Sequence, residues 1–464
     1  MLNKKSSFCF ITSNSWLDAN YGSDLQEILL KHGHIKLIID NEKKRSFKAD
    51  VNTIIALLSP LDDRRDLGLN NTARFVMFRV PFEEVIDAET FKTLESVTTD
   101  RQNTEKWRIC VKSHCELFAD GLKRQEEEEE EEGEGEEENE LIAKLKTVHV
   151  KTNKYMANKW GGKYLRAPEI FFTVLDKGKD KLVRLGDISN VKPGCYSGIN
   201  DFFYLDKQSA KQLGIESRFL KPIIRNTSDA ISPFITLTDL DTVVFSCNLD
   251  KDELQSFKGA NNYIDWGARQ VTRARQKTEA GIPWPETETV KRRTPGWWTI
   301  PRDNLTTTRN FLLYVHNERF IAPFTNKPVT SDRCFHRIFL KEPGQEASLA
   351  AILNSTVTWL MICVYGRWGL GQGAMKFETS DACKLLLLNP ATLNAITQNN
   401  LATCLETLGK RAVQAVKDEV LLSDRHALDS VVFDVLRLTS GEREAVYEAV
   451  VNLVRARLEK AKSV

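Results

Sequence analysis

The sequence predicts a mixed chain: α/β at its start, α+β through its middle and helical at its end. Three observations carry that expectation. Short apolar runs flank a helical pattern in the first hundred residues. From Glu169 to about Pro390, short β-rich segments alternate with glycine turns. From Ala395 to Val464 the periodicity is helical. The length, 464 residues, allows two or three domains with substantial cores. The expected divisions are a partial α/β domain over 1–100, a charged connection over 101–168, an α+β domain over 169–393 and a helical tail over 394–464.

The first strand is expected at Phe8 to Ile11, a short apolar run that reads as buried. Ser23-Asp24-Leu25-Gln26 fits a capping box, Leu25, Ile28 and Leu29 then recur at helical spacing, and Gly33 is placed to end the helix. Ile35 to Ile39, Asn52 to Leu58 and Ala73 to Val80 supply three more strands. Strand–helix–strand units of this kind build parallel sheets covered on both faces. Four strands with one clear crossover helix leave apolar faces open, so the chain is expected to begin within a domain. Arg166-Ala167-Pro168 closes the charged connection. In the tail, Thr439-Ser440-Gly441-Glu442 is a second capping box, and Val446, Val450, Leu453 and Val454 share one face behind it. Arg455, Arg457, Lys460 and Lys462 crowd that helix's end, where cations oppose its dipole favourably.

Formal charge is nearly balanced, at 65 basic against 64 acidic side chains, but 12 glutamates fall between Glu126 and Glu140. Without that run the balance is 65 against 52, so the remainder is basic and suits a polyanionic partner. The run itself reads as a solvated insertion. The 9 cysteines are odd in number, scattered and never spaced CxxC, which argues against a disulfide framework and a zinc site and for a reducing compartment, the cytoplasm. His32 and His34 flank Gly33 and read as cap residues. Lys4 and Lys5 precede an apolar stretch too short for a signal peptide. Ala347 to Gly366 carries no charge, yet Asn354-Ser355-Thr356 and Thr358 sit at its middle, so a buried helix is expected and no membrane span.

The strongest signal for nucleic acid is Tyr263 to Arg302. It holds Trp266, Trp284, Trp297 and Trp298, four of the nine tryptophans. Arg269, Arg273, Arg275, Lys277, Lys291, Arg292, Arg293 and Arg302 accompany them. Arg269, Arg273 and Lys277 are spaced four apart, so a helix there would carry one basic stripe. Guanidinium forks suit phosphates and guanine edges, and interleaved aromatics can pack on sugars or bases. The plainer reading makes the tryptophans core, Trp297 or Trp298 in part, and the arginines a solvated face.

Phe10 to Leu17, Tyr21-Gly22, Ile38-Ile39-Asp40, Arg45-Ser46-Phe47, Gly194 to Asn200 and Leu220 to Ile224 together resemble TaqI-like adenine-N6 DNA methyltransferases of the type II restriction-modification family. Phe10 to Leu17 through Tyr21-Gly22 to Ile38-Ile39-Asp40 resembles the part of those enzymes that follows the catalytic tetrapeptide. Arg45-Ser46-Phe47 ahead of Val51 to Leu58 resembles the loop whose aromatic side chain holds the adenine swung out of the duplex, which implies that role for Phe47. The middle resembles the family's target-recognition domain at Gly194 to Asn200 with Phe202-Phe203, Leu220 to Ile224, Trp297-Trp298, Asp332 with Phe335, Ile352 to Ser355 and Gly369 to Lys376. The tail resembles family members at Leu428-Asp429, Phe433-Asp434 and Glu444 to Val454.

The resemblance implies a partial methyltransferase Rossmann-like sheet, double-stranded DNA as partner, and S-adenosylmethionine as cofactor of the complete enzyme. The DNA-binding candidates are Arg269, Arg273, Lys277, Arg292, Arg293, Trp297, Trp298 and Lys376. Gly369 to Gly373 reads as a tight turn, not a dinucleotide loop. No glycine-rich cofactor loop and no Asp/Asn-Pro-Pro-Tyr/Phe tetrapeptide occurs. Asn389-Pro390 is followed by Ala391-Thr392 and lacks the aromatic platform. This chain alone is therefore expected to bind no cofactor and to need a catalytic methyltransferase subunit. The alternatives are a non-catalytic DNA-binding specificity subunit and a truncated remnant.

Overall fold

The computed structural model describes residues 6–45, 51–61, 68–122, 155–273, 281–368 and 373–463. Phe47, Lys277, the glutamate run and residues 369–372 lie outside them. The fold is mixed, with several sheets, in two compact units. The first comprises Met1–Pro168, Cys363–Lys376 and Asn452–Val464; the second, Glu169–Ile362 and Phe377–Val451.

The first unit holds β1 (Phe8–Ser13), α1 (Ser23–His32), β2 (His34–Asn41), β3 (Thr53–Ser59), β4 (Thr72–Phe78), α2 (Ala88–Ser96), β5 (Arg101–Asn103), β6 (Trp107–Ser113) and α3 (His114–Asp120). The strands form one sheet in the order β1-β3-β2-β4-β6-β5. Only β2 and β4 run parallel; the other four pairs are antiparallel, so the expected parallel sheet is not what forms. Strands β5 and β6 lie within the stretch expected to be a charged connection. Strand β6 pairs with β4 at seven positions and with β5 on its other side, and these ladders complete the sheet.

Both faces of β2 are buried. Ile35 and Ile38 face a cluster with Trp16, Leu30, Phe75 and Trp160, whereas Leu37 and Ile39 face Val76, Phe78, Leu94 and Ile109. Ile35 and Leu37 are two residues apart yet point to opposite faces. A bulge at Lys36 shifts the register against β3 there, which switches the side-chain parity. The first strand differs from its expectation: Phe8, Phe10 and Ile11 are exposed, because β1 is an edge strand.

Helix α1 also departs from its expected cap. Its N-cap is Gly22, with no side-chain bond from Ser23 to the backbone of Gln26. Gln26 instead turns inward, fully buried, donating to the Trp16 carbonyl at 3.0 Å and accepting from the Tyr155 hydroxyl at 3.0 Å. Gln26 and Leu30 form the buried face, and Leu25 and Ile28 are exposed. Gly33 does end the helix, in extended conformation. His34 meets the Thr72 carbonyl at 3.2 Å across to β4, so it ties strands and is not a cap.

The second unit is built on an eight-stranded sheet: β7 (Ser189–Pro193), β8 (Tyr204–Asp206), β9 (Leu220–Ile224), β10 (Phe234–Ile235), β11 (Thr242–Phe245), β12 (Thr308–Leu313), β13 (Phe324–Ser331) and β14 (Phe335–Leu340). Their order is β7-β14-β12-β13-β9-β11-β8, and β10 pairs with β13. The uncharged window forms two short helices, α4 (Glu346–Leu353) and α5 (Thr356–Tyr365), bent by 66° at Asn354-Ser355. Among the described residues no single helix is long and apolar enough to cross a membrane. Asn354 makes the break useful, because its side chain accepts from Ala322 N–H at 3.0 Å and donates to the Ala322 carbonyl at 2.7 Å. Asp429 caps α5 by accepting from the Thr356 N–H and hydroxyl at 2.7 and 2.6 Å.

The tail is helical as expected, and the Thr439–Glu442 box closes, with Glu442 accepting from Thr439 N–H at 2.6 Å and donating its own N–H to the Thr439 hydroxyl. Val446, Val450, Leu453 and Val454 are all buried. The asparagine of Asn389-Pro390 caps a short helical turn by accepting from Ala391 N–H at 3.0 Å, a structural use of that dipeptide.

Candidate nucleic-acid interface

The tryptophan-rich segment begins with α6 (Lys258–Gly267). Ala260, Tyr263, Ile264 and Gly267 recur at helical spacing and are buried. At its first turn the Gly259 and Ala260 N–H groups both donate to the Glu216 carboxylate at 2.9 Å. Burial pulls that carboxyl's pKa upward, and the backbone donors outweigh it, leaving a net lowering.

Tyr263 stacks on Phe202 with ring centres 4.9 Å apart, and its hydroxyl donates to the Phe202 carbonyl at 2.7 Å. Trp297 leans on Phe202 at 4.5 Å and Trp284 meets it edge-on at 5.9 Å. Gly267 permits this contact, since a Cβ there would come within 2.7 Å of Phe202 and 2.8 Å of Trp297. Trp298 is also inside, its indole N–H donating to the Leu249 carbonyl at 3.3 Å. Trp297 and Trp298 are therefore packed in the core.

Trp266 is the exception. It is 40% exposed while stacked on Tyr263 at 5.4 Å and edge-on to Trp284 at 5.7 Å. The sequence places it among four tryptophans without separating it from the rest. The signal is its position three residues after Tyr263, on the helix's margin and not in its buried row.

The basic stripe does not form, because α6 ends at Gly267, before Arg269. The chain turns there and pairs with its return arm: Thr272 N–H donates to the Ile282 carbonyl at 2.8 Å and Trp284 N–H to the Gln270 carbonyl at 3.0 Å. Arg269 and Arg273 are exposed on this turn and arm. The nearby acid Asp265 is paired with Lys251 at 2.7 Å.

Arg292 is exposed. Arg293 lies over the Phe203 ring at 5.4 Å and donates to the Thr299 carbonyl at 2.9 Å, and burial lowers its pKa. Lys376 belongs to the first unit, half-buried, its backbone paired with Arg367.

The first unit also contains buried charge that the sequence did not announce. Asp18 and Arg166 pair at 2.9 Å with side chains 6% and 4% exposed, and Arg166 donates to the Gly366 carbonyl at 3.2 Å beneath the Trp368 ring. Gly162 gives its N–H to Asp18 at 3.0 Å, and a Cβ there would lie 2.0 Å from the Val364 carbonyl oxygen. Lys460 pairs with Asp40 at 2.7 Å, so this lysine points into the unit and not toward the helix's end. Two cavities line this region, one bounded by Asn14, Asp40 and Arg108 and one by Arg45, Gly373 and Arg457, and each encloses about 10 Å³, room for one water. Among the described residues no group of His, Cys, Asp and Glu is arranged to hold a metal.

The family described as "Type II methyltransferase M.Eco57I, C-terminal domain" matches residues 157–423, and that described as "Eco57I restriction-modification methylase" matches residues 1–47. The type II methyltransferase M.AccI of Acinetobacter calcoaceticus is 25% identical over 256 residues, which are 52% of this chain and 42% of that protein. The chain thus spans well under half of that relative's length. Among solved structures, the type IIG restriction endonuclease BpuSI aligns at a TM-score of 0.47 and 12% identity, over 99% of this chain and 48% of its own. The type IIL restriction-modification enzyme MmeI, in complex with DNA, aligns at 0.47 and 11% identity, over 100% of this chain and 50% of its own. Both structural similarities are distant. The family match covers more than half of the sequence, from just before the second unit to within its helical tail, and the chain belongs to the family of the type II methyltransferase M.Eco57I C-terminal domain.

Proposed function

We propose that this chain is the DNA-recognition part of a site-specific adenine-N6 DNA methyltransferase of a restriction-modification or phage-defence system. It works on double-stranded DNA in the cytoplasm, and a second chain binds S-adenosylmethionine and carries out transfer. The observation that carries the reading is the exposed Trp266 on a fixed aromatic base, with exposed Arg269 and Arg273 just beyond it, inside the family-matched region. A preorganised aromatic face flanked by guanidinium groups suits a polyanion whose sugars and bases offer apolar surface. The sequence lacks both the cofactor loop and the catalytic tetrapeptide. Phe47 and Lys376 remain candidates for base stacking and DNA contact in the assembled enzyme.

Fluorescence anisotropy on cognate and scrambled duplexes, at several salt concentrations, tests this. The expected result is that Arg269→Ala and Arg273→Ala weaken binding to all duplexes alike, each reducing the slope of log affinity against log salt by about one. A double variant that binds as its parent does, with unchanged slope, means that this segment is not the DNA surface.

A further inference from the structure

We infer that Arg333, propped on the Tyr196 ring, reads a guanine edge in the bound duplex, with Tyr196 as its positioning residue. The inference rests on the reading that this chain recognises DNA, and it adds a contact outside the segment from Trp266 to Arg273.

Both residues stand on a clamped pair of turns in the second unit. One turn follows β7 and the other joins β13 to β14. Cys195 N–H donates to the Ser331 carbonyl at 2.6 Å and Arg333 N–H to the Cys195 carbonyl at 3.0 Å. Gly194 N–H donates to the Phe335 carbonyl at 2.9 Å. So close an approach needs a glycine, since a Cβ on Gly194 would lie 2.0 Å from the Asp332 carbonyl oxygen. Beneath the turns Asp332 is buried, its carboxylate accepting from the Tyr204 hydroxyl at 2.7 Å and from Cys334 N–H at 3.1 Å.

From this fixed base Tyr196 and Arg333 project outward. Tyr196 is 46% exposed, Arg333 is exposed, and the guanidinium lies over the ring, 5.1 Å from its centre. The adjacent carboxylate, Asp332, is turned inward and taken up by Tyr204. Among the described residues the Arg333 side chain has no hydrogen bond and no ion pair, so its N–H donors stay open. The Thr289–Arg293 arm packs against the same loop. A Cβ on Gly198 would lie 3.0 Å from the Thr289 hydroxyl and 3.0 Å from Arg293 Nη2. Arg292, exposed on that arm, adds positive charge that draws a duplex toward the loop.

The geometry selects a planar pair of acceptors. A phosphate accepts a cation from many directions, and a loose lysine serves it as a point charge. The N7 and O6 acceptors of guanine share one plane and take a guanidinium fork. Contact with the Tyr196 ring restricts that fork before DNA arrives, which lowers the ordering that binding must supply. A lysine on the same turn would match the charge and not the fork.

The test selects binders from duplexes with randomised positions, using the full chain alone and together with the polypeptide that carries the cofactor loop and catalytic tetrapeptide. The selected pools are sequenced for the parent, Arg333→Lys, Tyr196→Ala and Arg269→Ala. Arg333→Lys keeps the charge. The expected result is that its preference at one G·C position falls by about 10-fold or more, with the other positions and the salt slope unchanged. Misfolding weakens every sequence alike, so relaxation at one position cannot come from it. Tyr196→Ala should relax the same position to a smaller degree, and Arg269→Ala should weaken all sequences together. Parent-like preference in Arg333→Lys overturns the assignment, and so does uniform weakening, the mark of a phosphate contact. Relaxation by Arg333→Lys with none by Tyr196→Ala overturns the positioning role. A parent that selects no sequence in either form overturns both this inference and the DNA-recognition reading.

Discussion

Adjacent arginines at 292 and 293 have different neighbours and should fail differently when removed. Arg293 lies on Phe203 and holds the Thr299 carbonyl, so Arg293→Ala should lower unfolding stability by about 1–3 kcal/mol. Arg292 is exposed, and Arg292→Ala should change stability by no more than about 0.5 kcal/mol. If Arg292 reads a base edge, its loss costs about 1–3 kcal/mol on the proper site and little elsewhere. Denaturant unfolding and anisotropy on matched duplexes separate the two; equal stability losses would contradict the assignment. A second residue-scale case is Glu419, fully buried against Arg425 at 3.0 Å and bonded to Arg411, which also grips Asp424. Burial raises the Glu419 pKa but its arginine partners outweigh that, and Arg411 lowers Asp424, so both carboxyls end below their ordinary values. Their stabilisation is therefore present above the unfolded carboxylate range, about 4, and is lost as pH falls through the folded values. Asp429, raised by burial, acts in the opposite sense over the range above its ordinary value. Glu419→Gln should cost about 3–5 kcal/mol near pH 7, because it strands Arg425, and should flatten the acid limb of the stability curve. A variant with the parent's acid limb would remove this network from the account.

At the scale of elements, what the sequence foretold and what it hid follow from how far apart the interacting residues lie. The Thr439–Glu442 box and the buried face of the last helix involve residues a few positions apart, and both form. The Ser23–Gln26 box has the same spacing and fails, because Tyr155 and the Trp16 carbonyl, distant or outside the motif, claim the Gln26 amide. The basic stripe fails for a local reason: the chain turns after Gly267, which must pack against Phe202 and Trp297. Strands β2 to β4 were legible from their apolar runs, but pairing direction was not, since direction depends on partners the pattern does not name. Trp297 and Trp298 resolved to the plainer reading, and the exposed Trp266 could not be told from its neighbours by composition. Lys460 and Asp40, 420 positions apart, carry no local signal at all. Lys460→Ala would leave Asp40 buried without its cation and should destabilise the first unit by about 3–5 kcal/mol. Pairing it with Asp40→Asn should recover part of that loss. Urea titration followed by Trp16 and Trp160 fluorescence would read both, and a neutral single variant would show the pair to be solvated.

For the whole molecule, the proposed DNA-recognition role rests on the family match and on the basic segment with its exposed indole, and the proposed division of labour between chains is a separate claim. Outside the glutamate run the chain carries 65 basic side chains against 52 acidic ones, a surplus that suits long-range attraction to DNA. Raising ionic strength should therefore slow association more than it speeds release. The division of labour is what a methyl-transfer assay reads directly. Labelled S-adenosylmethionine and duplex DNA are incubated with this chain, with the polypeptide bearing the cofactor loop and tetrapeptide, and with both together. Site-specific label on adenine N6 is expected with the pair and none with this chain alone. Turnover by this chain alone, or label from the pair that is no more site-specific than from the catalytic polypeptide by itself, would contradict it.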